Sequence, residues 1–199
     1  MKTVRPKHSF ILPIFTVILA LAGSAFAQSD TSNISNINIK NFGQMDERFY
    51  RGAQPKEQDY QGLSAIGIKT VIDLRDDPES YEKRDVEALG MRYVNIPMSD
   101  KNYPQSSQIE QFLKLVDDPS TGKFYVHCAG GRHRTGVMGA VYRFNHYKWN
   151  FDQVYNEMKD YDFYTRWGHG DMKKFVEDYA VSFQKNSTAL QGTAGSRQR

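Results

Sequence analysis

The chain has one cysteine, Cys128, and it is followed six residues later by Arg134 and then by Thr135. A thiol acts as a nucleophile only as its thiolate, and a nearby guanidinium, a hydroxyl and backbone N–H groups all stabilise that charge. The planar guanidinium of Arg134 can also bind two oxygens of a phosphate group at once. We therefore predict that Cys128 is a nucleophile beside an anion site, with Arg134 binding the anion and Thr135 donating its hydroxyl to the sulfur.

The residues between the cysteine and the arginine have the composition of a phosphate-binding loop. They are Ala129, Gly130, Gly131, Arg132 and His133. Glycine adopts positive φ readily and brings backbone amides close to a ligand, so the loop is predicted to surround an anion. Arg132 and His133 are predicted to add positive charge beside the primary phosphate, which favours densely phosphorylated substrates. The preceding His127 is predicted to support the loop through hydrogen bonds.

The elements around this loop place it where ligands bind. Residues 123–127 are predicted to form a β-strand, and residues 135–146 a helix with apolar residues at helical spacing. In an open α/β sheet, ligands bind beyond the carboxyl ends of the strands, and the exposed amides at the start of a helix attract anions. The loop is therefore predicted to lie at the binding edge of a sheet.

The rest of the chain alternates strand and helix patterns. Further strands are predicted at residues 48–51, 69–74 and 91–96, and further helices at 55–65, 79–89, 104–116, 151–159 and 171–182. This alternation is typical of an α/β fold. We predict a three-layer sandwich, in which a mostly parallel central sheet is flanked by helices.

The segment HCAGGRHRTG resembles the HCxxGxxR[ST] loop of the Cys-dependent protein tyrosine and dual-specificity phosphatases. Its fixed positions are matched by His127, Cys128, Gly131, Arg134 and Thr135, and Gly136 is the family's usual glycine. The wider resemblance covers roughly residues 49–179 and is greatest to the compact atypical dual-specificity phosphatases. It implies a phosphatase that forms a cysteinyl-phosphate and needs no cofactor and no metal.

The variable positions of the loop bear on the substrate. GRHRTG is similar to the GKHRTG of plant and fungal atypical dual-specificity phosphatases, some of which act on inositol pyrophosphates. Ala129 and Gly130 depart from that pattern, because those relatives carry cations there. The resemblance therefore leaves two substrate classes open, a phosphorylated protein and an inositol phosphate.

The resemblance also implies a general acid, usually an aspartate on a mobile loop before the cysteine. Asp100 lies 28 residues before Cys128 and follows a predicted strand, so it is our prediction for this role. The alternatives are Asp76 and Asp77, which follow the strand before it, and Asp117 and Asp118. These last two precede a parallel strand, which predicts that they lie at the opposite end of the sheet. His169, in WGHGD, is interpreted as part of a turn.

The ends of the chain predict its processing. Residues 1–27 combine three cations, an apolar run and Ala25-Phe26-Ala27, which is the pattern of a secretory signal peptide. The product is then periplasmic or secreted and has no stable membrane insertion; an uncleaved leader that anchors the protein is the alternative. Residues 28–44 are predicted to be a linker, 45–182 the phosphatase domain and 183–199 a disordered tail.

Composition excludes several other classes of function. The chain of 199 residues is 39% hydrophobic and has a single cysteine, which fits one folded domain without disulfides. Residues 28–199 carry 23 basic and 23 acidic side chains, so the net charge predicts no nucleic-acid partner.

Two alternatives to a phosphatase remain. One is a phosphate-binding module without turnover. The other is a rhodanese-like or arsenate-reducing enzyme, although arsenate reduction generally requires more than one thiol.

Overall fold

A five-stranded sheet forms the centre of the computed structural model, which describes residues 37–196 and the side chains of residues 37–185. The strands are β1 (Gly43–Gln44), β2 (Phe49–Ala53), β3 (Ile68–Arg75), β4 (Arg92–Met98) and β5 (Lys123–Cys128). Their order in the sheet is β1-β2-β5-β3-β4. β1 pairs antiparallel with β2, and the other neighbours pair in parallel. The prediction of a mostly parallel sheet is confirmed.

Helices cover both faces of this sheet. They are α1 (Asp59–Ala65), α2 (Glu82–Ala88), α3 (Ser106–Asp117), α4 (His133–Tyr142), α5 (Phe151–Asp160) and α6 (Gly170–Ser196). A 3-10 turn spans Pro119–Thr121, and a π-helical turn, Arg143–Tyr147, extends α4.

Two apolar cores follow from the alternation of side chains along the strands. Phe124 and Val126 of β5 belong to the core under α3, α4, α5 and α6. Tyr125, between them in the sequence, points to the other face and belongs to the core under α1 and α2. Helices on both faces confirm the predicted three-layer sandwich.

The binding edge of the sheet is assembled from its middle strands. β5 lies between β2 and β3, and its residues from Phe124 to Cys128 are buried. The loop after β5 leads directly into α4, all of whose residues are buried. β3 ends at Arg75 and β4 at Met98, so Asp76 and Asp100 follow strands that end at the same edge as Cys128.

The folded region extends further at both ends than the sequence predicts. Residues 37–44, predicted as linker, include the buried Ile39, and the carbonyl of Lys40 accepts a hydrogen bond from the Ala53 N–H. At the other end α6 continues to Ser196, where a disordered tail is predicted, and Phe183 packs against Phe144. The predicted leader at residues 1–27, residues 28–36 and residues 197–199 lie outside the described residues. Among the described helices, none combines the length and the apolar composition needed to span a membrane.

Candidate active site

A cavity of about 210 Å³ opens at the carboxyl edge of the sheet. Its walls are formed by Asp100, Cys128, Ala129, Gly130, Arg132, His133, Arg134, Tyr164 and His169. The predicted nucleophile, the predicted phosphate-binding arginine and the predicted general acid therefore share one cavity. They come from the end of β5, the loop after β4 and the start of α4, so the fold has to bring them together.

The Cys128 thiol is only 3% exposed, and its surroundings stabilise the thiolate. Burial by itself raises the pKa of a thiol. Here that effect is outweighed by a hydrogen bond from the Thr135 hydroxyl and by the positive charge of Arg134, and backbone N–H groups add to them, so the pKa of Cys128 is lowered. The Thr135 hydroxyl is fully buried beside the sulfur, where it can donate to the thiolate.

Arg134 is held in place by two neighbouring strand ends. Its Nη1 lies 2.8 Å from Oδ1 of Asp76 and donates to the carbonyl of Met98 at 3.1 Å. Asp76, one alternative for the general acid, is thus engaged with the arginine. Asp77, another, pairs with Arg75.

The remaining two alternatives for the acid lie at the other end of the sheet. Asp117 ends α3 and pairs with His146, while Asp118 precedes β5 and accepts a hydrogen bond from the Ser120 N–H. Neither lines the cavity. Among the five candidate carboxylates, Asp100 is the one in the cavity wall.

Donors behind the loop bind its carbonyl groups. The Arg51 guanidinium donates to the Gly131 carbonyl at 2.9 Å, and the Asn41 side-chain amide donates to the Gly130 carbonyl at 2.8 Å. Two carbonyls of the loop are thus bound by side chains from other segments, and the backbone N–H groups of Gly130 and Thr135 bond to the Cys128 sulfur. Gly131 has φ of 65°, and an added Cβ would lie 2.4 Å from the carbonyl carbon of Gly52.

Arg51 is a buried cation that the sequence analysis leaves without a role. It is 1% exposed, and its guanidinium lies 3.9 Å from the centre of the Tyr161 ring. Burial lowers its pKa to about 10, so it remains charged at neutral pH. A strand residue of this type carries no local signal of its function, because its partners lie more than 70 residues away in the sequence.

His127, which is predicted to support the loop, is hydrogen-bonded and ion-paired to Glu82 directly before the loop. Its Nε2 lies 2.8 Å from Oε1 of Glu82, and its Nδ1 lies 3.9 Å from Oδ1 of Asp73. Burial disfavours the charged imidazole, but Glu82 outweighs it and raises the pKa of His127. Burial also raises the pKa of Asp73.

These same three residues are the one group of possible metal ligands among the described residues. The two ring nitrogens of His127 face different carboxylates. A protonated His127 accounts for the charge of Glu82 without a cation, so the donor set fits an internal ion pair better than a metal site.

The structure corrects the prediction for one histidine near the cavity and adds to the interpretation of another. His133 is predicted to add positive charge, but burial and the neighbouring His169 lower its pKa to about 4, so it is neutral at pH 7. His169 follows a turn at residues 167–168 and directly precedes α6, in agreement with its interpretation as part of a turn, and it also forms part of the cavity wall. Its contacts are made across the fold, and the local sequence carries no signal for them. Arg132 does line the cavity, with its guanidinium over the Tyr164 ring at 5.2 Å.

Comparisons with known proteins agree with this geometry. A family model described as DSP-PTPase phosphatase fused to NAD+ kinase matches residues 24–175. The chain is 28% identical to the probable tyrosine-protein phosphatase DG1060 of Dictyostelium discoideum over 72% of this chain and 85% of that protein. It is 23% identical to the inositol diphosphatase SIW14 of Saccharomyces cerevisiae over 62% of this chain and 46% of that protein.

A solved structure shows the same fold. The crystal structure of TpbA from P. aeruginosa superposes with a TM-score of 0.63 at 22% identity, covering 75% of this chain and 91% of that one. The resemblance in fold thus extends well beyond the cysteine loop.

Proposed function

Because the chain belongs to the family of DSP-PTPase phosphatases described by that model and is a Cys-dependent phosphatase of the dual-specificity type, we propose that it hydrolyses phosphate monoesters through a cysteinyl-phosphate. The predicted family is confirmed. The observation that carries the proposed chemistry is the cavity that Cys128, Arg134 and Asp100 share. A thiolate, an anion-binding arginine and a proton donor are the three groups that this reaction requires.

In the first step the Cys128 sulfur attacks phosphorus in line with the leaving oxygen. The S–P bond forms as the P–O bond breaks, and Asp100 gives its proton to the departing oxygen. Arg134 and the loop amides hold the three equatorial oxygens, where negative charge must be stabilised. The Asp76 carboxylate and the Met98 carbonyl orient the guanidinium before substrate arrives.

In the second step water attacks the phosphorus of the cysteinyl-phosphate. Asp100, now ionised, takes a proton from that water, the S–P bond breaks, and Cys128 leaves as a thiolate. The Thr135 hydroxyl stabilises this leaving group by the same hydrogen bond that lowers the pKa of the free thiol.

Phosphate release from a phosphotyrosine peptide by residues 28–199, beside Cys128→Ser as the blank, tests the mechanism. We expect turnover that the substitution abolishes, together with a phosphorylated Cys128 in acid-quenched samples of the unsubstituted protein. Turnover without a phosphocysteine would contradict the intermediate. No turnover, with orthovanadate still bound, would favour a phosphate-binding module.

An inositol polyphosphate is the second candidate substrate, and Arg132 at the cavity wall favours it. Its cation lies beside the phosphate site, where a second phosphate of a densely phosphorylated ring would be attracted. A relative named as an inositol diphosphatase supports the same class. We expect Arg132→Gln to lower activity on inositol hexakisphosphate more than on a phosphotyrosine peptide. Equal losses would favour the phosphoprotein as the substrate.

We also propose that the protein is exported. The support lies in the sequence, where Lys2, Arg5 and Lys7 precede an apolar run and Ala25-Phe26-Ala27 fits a cleavage site. Expression of the complete chain in a bacterial host should give a periplasmic product whose first residue is Gln28. A product that keeps its leader and stays with the membrane fraction would instead support an uncleaved anchor.

A further inference from the structure

His169 connects the segment that carries Asp100 to the wall of the cavity. It is 8% exposed, and its Nδ1 lies 2.8 Å from the backbone carbonyl oxygen of Asp100. A carbonyl oxygen can only accept a hydrogen bond, so Nδ1 carries the proton and donates. This bond crosses 69 residues of sequence, from the loop after β4 to the residue before α6.

The ring of His169 is itself fixed by the phosphate-binding loop. It stacks on the ring of His133 with centroids 3.6 Å apart and an angle of 10° between the planes. His133 in turn donates from Nε2 to the carbonyl of Tyr164 at 3.0 Å. The Tyr164 ring meets His169 edge-on at 5.4 Å. The donor to Asp100 is therefore positioned by a residue that lies between the nucleophile and Arg134 in the sequence.

The segment that carries Asp100 is also held three residues later, where the Tyr103 hydroxyl donates to Asp178 at 3.1 Å and the Tyr103 ring contacts Phe175 of α6. Residues 100–103 are exposed, and the N–H groups of residues 101 and 102 donate to the Ser99 hydroxyl within the same turn. Within the described part of the chain, the bond from His169 is the one hydrogen bond that connects the peptide of Asp100 itself to another segment. The peptide of Asp100 therefore depends on that bond for a fixed position.

We infer that His169 is a positioning residue for the general acid: the hydrogen bond from its Nδ1 holds the Asp100 peptide so that the carboxyl group faces the leaving oxygen of the substrate. The inference rests on the proposed function, in which Asp100 donates that proton. In this role His169 makes no contact with the substrate. In the first step, where Asp100 acts as the acid, the effect of His169 depends on how much the leaving group needs a proton; kcat/KM reports that step without the later hydrolysis of the cysteinyl-phosphate.

Two substitutions separate the hydrogen bond from the ring stack. His169→Phe keeps an aromatic ring over His133 and removes the donor. His169→Asn removes the ring and keeps an N–H donor near the position of Nδ1. Each variant is assayed on two aryl phosphates, phenyl phosphate, whose leaving oxygen is strongly basic, and 2,4-dinitrophenyl phosphate, whose phenolate leaves without protonation.

We expect His169→Phe to lower kcat/KM on phenyl phosphate by about 10-fold, which is part of the contribution of a general acid, and to lower kcat/KM much less on dinitrophenyl phosphate. His169→Asn should recover a large part of that loss. The matched control, His146→Phe, replaces a histidine that pairs with Asp117 at the opposite end of the sheet and should change neither rate. Equal losses on both substrates with His169→Phe would show a general structural role and overturn the inference.

A double-mutant cycle with Asp100→Asn separates failure of this inference from failure of the proposed acid. Asp100→Asn alone must show the same dependence of kcat/KM on the leaving group; if it lowers kcat/KM equally on both substrates, the assignment of Asp100 as the acid fails. If Asp100→Asn behaves as expected, the double variant should be no slower on phenyl phosphate than Asp100→Asn alone, because both substitutions remove one function. Multiplied effects would overturn the role of His169 and leave that of Asp100 intact.

Discussion

The reactivity of Cys128 depends on whether short-range stabilisation of the thiolate outweighs its burial. The sulfur is almost fully buried, which favours the neutral thiol, yet its pKa is lowered because Thr135, Arg134 and backbone N–H groups all contact or face it. Removing one of these groups should raise the pKa of Cys128 again. The contribution of Thr135 is the one that can be removed with the least change in shape, since valine has nearly the same volume as threonine.

Thr135→Val is therefore expected to raise the pH midpoint for alkylation of Cys128 by iodoacetamide and to slow the release of phosphate from the intermediate. The upward sign follows because loss of a hydrogen bond to the thiolate favours the protonated form. The midpoint is measured from alkylation rates between pH 5 and pH 10. The control is Thr121→Val, which removes another buried threonine hydroxyl, bonded to the Leu115 carbonyl at the far end of β5. An unchanged midpoint in Thr135→Val would contradict the hydrogen bond.

The buried pair of Glu82 and His127 gives a prediction for stability against pH. The pKa of Glu82 is lowered below its ordinary 4.5, since His127 outweighs the effect of burial. The pKa of His127 is raised above its ordinary 6.5. The pair stabilises the fold fully between these two ordinary values. That contribution is lost as pH falls through the lowered pKa of Glu82 and as pH rises through the raised pKa of His127.

Glu82→Gln should accordingly lower the free energy of unfolding by about 3–5 kcal/mol near pH 5.5, because it leaves a buried imidazole without its counter-ion. The loss should become smaller at alkaline pH, where His127 is neutral in the unsubstituted protein as well. The loss is measured by urea unfolding of Glu82→Gln and of the unsubstituted protein at several pH values. Glu87→Gln, at an exposed position of the same helix, is the matched control. A loss that is independent of pH would show that packing, not charge, is responsible.

At the scale of elements, the phosphate-binding loop takes its shape from its contact with β2. Gly131 has φ of 65°, and the backbone of Gly52 and Ala53 occupies the space that a Cβ at this position would need. Gly131→Ala should destabilise the protein by about 3 kcal/mol, from backbone strain together with overpacking against atoms that cannot move aside. Gly130→Ala should cost less, because its Cβ meets the flexible Arg132 side chain, at 3.0 Å. Thermal unfolding compares the two; equal losses would contradict the role of β2.

The order of strands and helices was predictable because each element carries its own periodicity. The strand at 123–127 alternates between the two cores, and the glycines and polar residues that follow it are typical of a loop that binds an anion. Contacts made across the sheet were not predictable. Asn41 binds the loop from a segment with no helix or strand period, and Arg51 does so from a strand whose pattern resembles that of any other strand. Their function depends on which strands become neighbours, and no local pattern encodes that.

At the scale of the molecule, the site is complete only when α6 covers the core beneath α4. Phe175, Val176 and Ala180 of α6 are buried in that core, and His169 directly precedes the helix. The active site therefore depends on α6, the last helix of the fold, for its support.

Two truncations test how far this support extends. A chain that ends at residue 185 should keep its activity and its free energy of unfolding within about 1 kcal/mol, since it keeps Phe175, Val176 and Ala180. A chain that ends at residue 174 loses Phe175, Val176 and Ala180. Each large apolar side chain removed from a core costs about 2–5 kcal/mol, and together these losses match the whole stability of a typical domain. We expect the shorter chain not to fold; a cooperative urea transition with retained phosphatase activity would show that α6 is dispensable for the site.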